Sequence, residues 1–377
     1  MNLRAVIASG LICFCAGGLY GWSALILPME TAYQVTTSQT GLVFSLAIVA
    51  FTASVILTPR VLGAMPDPRH VACFGLLGAI CVILAAQMRG FEAFLGWFSI
   101  GFGAASGGIY ITALSVASAH ARHDIATPAM VAAFGTGGAV FGPLWRILYA
   151  QGWGMDGLFV LGVGLAVSSL TALALRAQPP KMQADDPPLS PPAKTRGRAT
   201  LWLTFAFGSF AGLMVLGLAS KMMDVGGAAT SLASVTLAGI ALGNTSGRLS
   251  VAVLCSRFRP RTCIVLAMGL TLTGLCLALP GFGRAALAVG LILIATGYGI
   301  VASAIPVITR QSFGARQFPH QFALIFTAWG AAGLIAPWAG GALYDRSGSF
   351  VLPFLVAAGA ALICIAMAMK LDRNLPR

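Results

Sequence analysis

The sequence predicts an all-α integral membrane protein, with twelve transmembrane helices in two pseudo-symmetric six-helix bundles. Three observations predict it. Of 377 residues, 58% are hydrophobic and 9% charged, whereas a soluble domain carries about 25% charged residues. The apolar residues gather into twelve runs, each near the roughly 20 residues that cross a bilayer as a helix. The second half of the chain also echoes the first at an offset of about half its length.

The runs are 5–28, 38–60, 70–88, 92–117, 128–150, 157–176, 200–223, 228–255, 262–280, 284–309, 319–343 and 350–370. The alternating ten-residue strands of a membrane β-barrel are not found. The first run, after Arg4, is longer than a signal-peptide core and lacks a following small-residue cleavage site, so it reads as a retained span. The 46 glycines suit helices that approach closely in lipid. The eight cysteines lie in or beside apolar runs without a CxxC pair and read as buried thiols.

One segment breaks the pattern. "RAQPPKMQADDPPLSPPAKTRGRA" (176–199) carries six prolines and mixed charge. Proline fixes φ and removes a backbone donor, so this stretch reads as a linker. It divides the chain into an N-terminal bundle at 1–176, a cytoplasmic linker at 177–199 and a C-terminal bundle at 200–377.

Lysine and arginine set the orientation. With the N-terminus inside, 17 of the 23 fall on the cytoplasmic side and four outside: Arg89, Lys221, Arg284 and Arg346. Both termini are therefore expected in the cytoplasm of a cell-membrane protein. The formal charge of +13 follows from this bias and implies no nucleic-acid partner. Arg146 and Arg248 remain within spans.

The echo between halves is specific. "FGTGGAVFGPLWRILYAQGW" in the fifth run matches "WGAAGLIAPWAGGALYDRSG" in the eleventh, and "GFGAASGGIYITAL" in the fourth matches "ATGYGIVASAIPVI" in the tenth. Duplicated six-helix halves place a substrate site between them near the middle of the membrane.

Arg248 lies in "GNTSGRLS". A guanidinium at a helix centre costs about 2.5–3.5 kcal/mol to insert on the lenient scale. It sits nine residues before Arg257, about 13 Å up a helix from the basic loop, a long reach for snorkelling. It is therefore expected to face a polar cavity, where its fork matches a carboxylate. The alternative is an arginine bonded to carbonyls of a broken helix. Asn244, four residues earlier, shares its face. Tyr20, Trp22, Tyr110, Tyr298 and Trp329 lie at similar depths and could wall a site for a small organic acid, or pack and anchor the helices.

Arg146 reads either as an interfacial arginine or as a second, outer anion-steering charge. Asp224 reads as a proton-coupling group or as the partner of Lys221, three residues away. The histidines His70, His120, His123 and His320 fall in predicted cytoplasmic loops without metal-ligand spacing. No catalytic triad, P-loop or dinucleotide turn occurs, so neither an enzyme nor a cofactor is expected.

On these residues the chain resembles the major facilitator superfamily, and within it the oxalate/formate antiporter and monocarboxylate transporter branch. "GGLYGWSALILPM" is similar to that branch's first-span signature, "GNTSGRLSVAVLCSRFRPR" to its Asn-x-x-x-Arg element and basic loop, and "FGARQFPHQFALIFTAWGAAGLIAPWAGGALYDRSGSF" to its tenth-to-eleventh region. "GAMPDPRHV" keeps Gly63, Asp67 and Arg69 of the superfamily's gating loop; the matching loop of the second half has Ser256 in place of the acid. Oxalate-type members carry a lysine in the eleventh span, where Trp329 or Gly330 stands here. The resemblance implies a secondary transporter of small carboxylates, monocarboxylates favoured, working by alternating access with proton coupling or anion exchange. It implies a chain that functions as a monomer in the lipid bilayer. A drug or organic-cation exporter of the same fold is the alternative, and would call for a buried acid.

Overall fold

The computed structural model describes residues 3–62, 67–120, 123–173 and 195–374. Among these all regular structure is helical, with no strand. The helices are α1 (Arg4–Tyr33), α2 (Thr37–Leu62), α3 (Pro68–Gln87), α4 (Phe91–Ala117), α5 (His123–Ala150), α6 (Gly154–Leu173), α7 (Thr195–Val225), α8 (Thr230–Arg257), α9 (Pro260–Leu277), α10 (Gly283–Gly314), α11 (His320–Ser347) and α12 (Val351–Asn374). Eleven contain a stretch long and apolar enough to cross a membrane. The remaining one, α9, has a shorter apolar stretch, Arg261–Leu277, about 26 Å at 1.5 Å per residue.

The boundaries depart from the sequence reading in places. The first span runs on to Tyr33, and the sixth starts at Gly154 and is described to Leu173. Residues 174–194 of the predicted linker lie outside the described residues, and α7 already begins at Thr195. The histidines expected in loops sit at helix ends instead: His70 in the first turn of α3, His120 at the end of the fourth-span helix, His123 opening α5 and His320 opening α11. Gly314, at φ 73°, breaks the run between α10 and α11.

Besides the 3₁₀ turn Gly154–Gly157 that opens α6, two spans leave ordinary α geometry. In α1, Gly17–Leu25 winds as a 3₁₀ helix and every one of its nine residues is buried. In α4, Leu95–Phe102 winds as a π-helix.

The first six helices pack as α1 on α5, α2 on α4 and α3 on α6; the second six as α7 on α10–α11 and α12, α8 on α10–α11 and α9 on α12. The two sets meet along α2–α11, α5–α8 and α1–α7. Glycine permits one of these crossings: a Cβ at Gly135 on α5 would overlap the Thr245 hydroxyl on α8.

Candidate functional site: a neutral-walled arginine between the halves

Arg248 lies on α8 where α1, α8, α10 and α11 converge. Its Nε–H donates to Asn244 Oδ1 at 3.1 Å, and its Nη2 to the phenol oxygens of Tyr20 (3.3 Å) and Tyr298 (3.4 Å). The guanidinium carbon stands 5.6 Å from the Tyr298 ring centroid, within cation–π range. Tyr298 also accepts the Trp329 indole N–H at 2.6 Å.

The local sequence makes this arrangement possible. Asn244 and Arg248 are one helical turn apart and share a face. Gly299 follows Tyr298, and a Cβ there would overlap the Asn244 carbonyl oxygen. That close crossing of α10 on α8 brings the phenol over the guanidinium.

Arg248 makes no ion pair among the described residues. Its partners are all neutral oxygens, so a full positive charge stands between the halves without a counter-ion. Several donors around it remain free. A guanidinium has five N–H groups, and those of Nη1 have no protein acceptor among the described residues. Asn244 is fully buried, and its Nδ2 has no partner there either. A phenol oxygen has two lone pairs and one proton; Trp329 and Arg248 occupy the lone pairs of Tyr298, and its O–H faces the Tyr20 phenol. The cluster is thus a set of hydrogen-bond donors around one cation.

Aromatic rings close one side. Tyr20 meets Phe134 edge-on at 5.1 Å; Phe134 meets Tyr110 at 5.3 Å and Phe51 at 5.7 Å; Phe51 meets Trp329 at 5.4 Å; Trp329 stacks on Phe326 at 5.2 Å. The structure therefore brings together Arg248, Asn244, Tyr20, Tyr298 and Trp329, with Tyr110 in the adjoining wall. Trp22 is elsewhere. It is fully buried against Phe94 (6.1 Å) and Phe98 (5.1 Å), because a step of two residues along a 3₁₀ helix, at three residues per turn, sets the side chains about 120° apart. Phe51, Phe134 and Phe326 complete the wall and were not singled out from the sequence.

Arg146 and Asp224 belong to a second constellation, at the end of the bundle that the charge bias predicts to be outer. Arg146 on α5 pairs with Asp224 on α7 at 3.0 Å and also donates to Ser220. Lys221 pairs with Glu30 on α1 at 2.5 Å. Asp224 and Lys221 thus each reach across to the first six helices rather than to each other, because both stand on the α7 face turned toward that half. Asp345, in the last turn of α11, accepts the Thr37 and Ser38 backbone N–H groups at 3.2 and 2.8 Å, capping the first turn of α2. Thr37 donates its hydroxyl to Glu30 at 3.0 Å. Three carboxylates therefore tie the halves together at this end.

Asp67 caps α3, accepting the Arg69 N–H at 2.8 Å; Arg69 itself is exposed, and Gly63 lies outside the described residues. Among the described residues no group of three or more His, Cys, Asp or Glu is placed to hold a metal ion.

No protein-family model matches the chain, and no curated protein matches it. Solved structures do. A bacterial homolog to the human lysosomal transporter Spinster, inward-facing and occupied, superposes with a TM-score of 0.75 at 13% identity, over 99% of this chain and 97% of that one. The nucleoside transporter NupG gives 0.71 at 16%, over 99% and 100%. The D-xylose–proton symporter gives 0.77 at 11%, over 100% and 98%. The chain has the fold of these transporters across essentially its whole length. At these identities the likeness is one of fold.

Proposed function

We propose that this protein is a secondary transporter of small carboxylate anions, with monocarboxylates favoured, working by alternating access in a cell membrane with both termini cytoplasmic. One observation carries the reading: Arg248, between the halves, has only neutral partners among the described residues and is ringed by unused donors. A single carboxylate supplies the missing charge and accepts from Nη1 and Asn244, while its short tail meets the Phe51–Phe134–Trp329 wall. One cation in the cluster favours one carboxylate over two. The carboxylate ties at the predicted outer end fit a state closed on that side.

The finer roles belong to this proposal. Asp224 is the candidate proton-coupling group and Arg146 the outer steering charge, acting through the pair they form; alternatively the proton travels on the substrate carboxyl. Asp67 and Arg69 form the gating loop. A cation exporter would need an acid at the centre, and no described aspartate or glutamate is bonded into the Arg248 cluster.

The test is uptake into proteoliposomes across a panel of mono- and dicarboxylates, with and without a pH gradient. Saturable monocarboxylate uptake that Arg248→Gln abolishes is expected. Full uptake in Arg248→Gln, or selectivity for organic cations, overturns the reading.

A further inference from the structure

A cavity of about 380 Å³ opens at the predicted outer end of the second six helices, away from Arg248. Its walls come from the ends of α7, α10 and α12 and the turn after α9, including Met222, Leu279, Leu287, Phe350 and Phe354. That size falls in the range of small-ligand sites, about 300–1,000 Å³. The lining contains one charged residue, Arg284. Its guanidinium is exposed, lies over Gly227, and makes no hydrogen bond or ion pair among the described residues. The neighbouring charges are already used: Lys221 and Asp224, adjacent to the lining residues Met222 and Val225, pair with Glu30 and Arg146.

The surroundings are those of a lipid contact. Val225 in the lining is 44% exposed, and Phe282 and Leu355, each next in sequence to a lining residue, are 58% and 56% exposed, so large apolar side chains are exposed where the helices end. An apolar chamber, an apolar rim and one unpaired cation match a molecule with a hydrocarbon chain and an anionic head. A water-soluble anion would gain nothing from the chamber, and an uncharged chain nothing from Arg284.

We propose that this cavity binds one anionic lipid from the outer leaflet, its chain in the chamber and its headgroup on Arg284. The site is separate from Arg248, so the Arg248→Gln variant keeps it whether or not the transport reading holds.

Native mass spectrometry of the full chain in neutral maltoside detergent tests this, with lysophosphatidylglycerol and lysophosphatidylcholine of equal chain length as probes. One lysophosphatidylglycerol is expected to bind at a concentration at least tenfold below that needed for lysophosphatidylcholine. Arg284→Gln should erase that preference, and Val351→Trp, which fills the chamber, should erase binding of both. Val225→Trp serves if the first filling variant does not fold. Equal binding of the two lipids, a preference that survives Arg284→Gln, or binding that survives the filled chamber overturns the proposal. Displacement of the lipid by millimolar phosphate or acetate overturns the choice of a lipid.

Discussion

Asp345 holds Ser38 across the boundary between the two halves: a carboxylate at the end of α11 accepts the backbone N–H of Ser38 at 2.8 Å, and its other oxygen accepts that of Thr37. The first turn of a helix leaves N–H groups unpaired and carries partial positive charge. Here the cap comes from the opposite half of the molecule, so opening the predicted outer end must uncap α2. Removing a cap costs about 0.5–2 kcal/mol. Asp345→Ala should therefore raise the open population about 2- to 30-fold, since 1.4 kcal/mol is a factor of ten. Leu237 of α8 is buried against Gly142 of α5, so the rate at which an impermeant maleimide labels Leu237→Cys, in a background without other cysteines, measures this.

Arg146 and Asp224 should be coupled. Their side chains are 10% and 27% exposed, so removing either leaves a partly buried charge unpaired. Arg146→Ala and Asp224→Ala are each expected to destabilise the outer-closed state, and the double variant less than their sum. A coupling of about 0.5–3 kcal/mol is expected for groups in contact, read from thermal melting of the four proteins of the cycle. An additive result would mean that the pair does not form in the membrane.

Asp224→Asn separates pairing from proton coupling. If Asp224 carries the coupled proton, uptake driven by a pH gradient should fall at least tenfold while exchange of labelled for unlabelled substrate persists. Unchanged pH-driven uptake leaves Asp224 as a structural partner of Arg146.

The phenol of Tyr298 links Trp329 to Arg248. Tyr298→Phe removes the oxygen that accepts from both, and Trp329→Phe removes one of its two donors but keeps a ring. A neutral hydrogen bond contributes about 0.5–1.5 kcal/mol net, and one to a charged group about 1.5–3. Tyr298→Phe should accordingly raise the substrate KM roughly 10- to 100-fold, and Trp329→Phe only about 2- to 10-fold. The order of these effects is the test.

Gly299 should tolerate no side chain. Its missing Cβ makes room for the Asn244 carbonyl oxygen, and overpacking a close contact costs about 1–3 kcal/mol. Gly299→Ala is expected to lower the melting temperature and to weaken substrate binding together, because the same crossing places Tyr298. Gly269, with nothing near its absent side chain, is the control; Gly269→Ala should change neither.

Much of this was legible in the sequence. Runs of apolar residues separated by charge are enough to count helices, since lipid demands them. Arg248 and Asn244 stand out because a polar group in a span has to be explained, and four residues put them on one face. The phenylalanines of the wall were hidden for the opposite reason. Phe51, Phe134 and Phe326 sit in helices apolar on every side, where a ring facing a neighbour and a ring facing lipid look alike. Trp22 shares the signature that contains Tyr20, but the winding of the helix turns it to the other side. Lys221 and Asp224 are close in sequence and suggested a local pair; which acid or base each meets depends on how α7 crosses α1 and α5, and spacing alone does not encode that.

The tighter coil in the middle of α1 has a mechanical meaning. A 3₁₀ helix rises about 2.0 Å per residue against 1.5 Å in an α-helix. Relaxing the stretch Gly17–Leu25 to α geometry would draw the two ends of α1 together by about 4.5 Å by that difference in rise, and would rotate the Tyr20 phenol about the helix axis. A change of pitch in this one segment would thus release the phenol from Arg248 and pull on Glu30, coupling the middle of the molecule to its far rim through a single shaft.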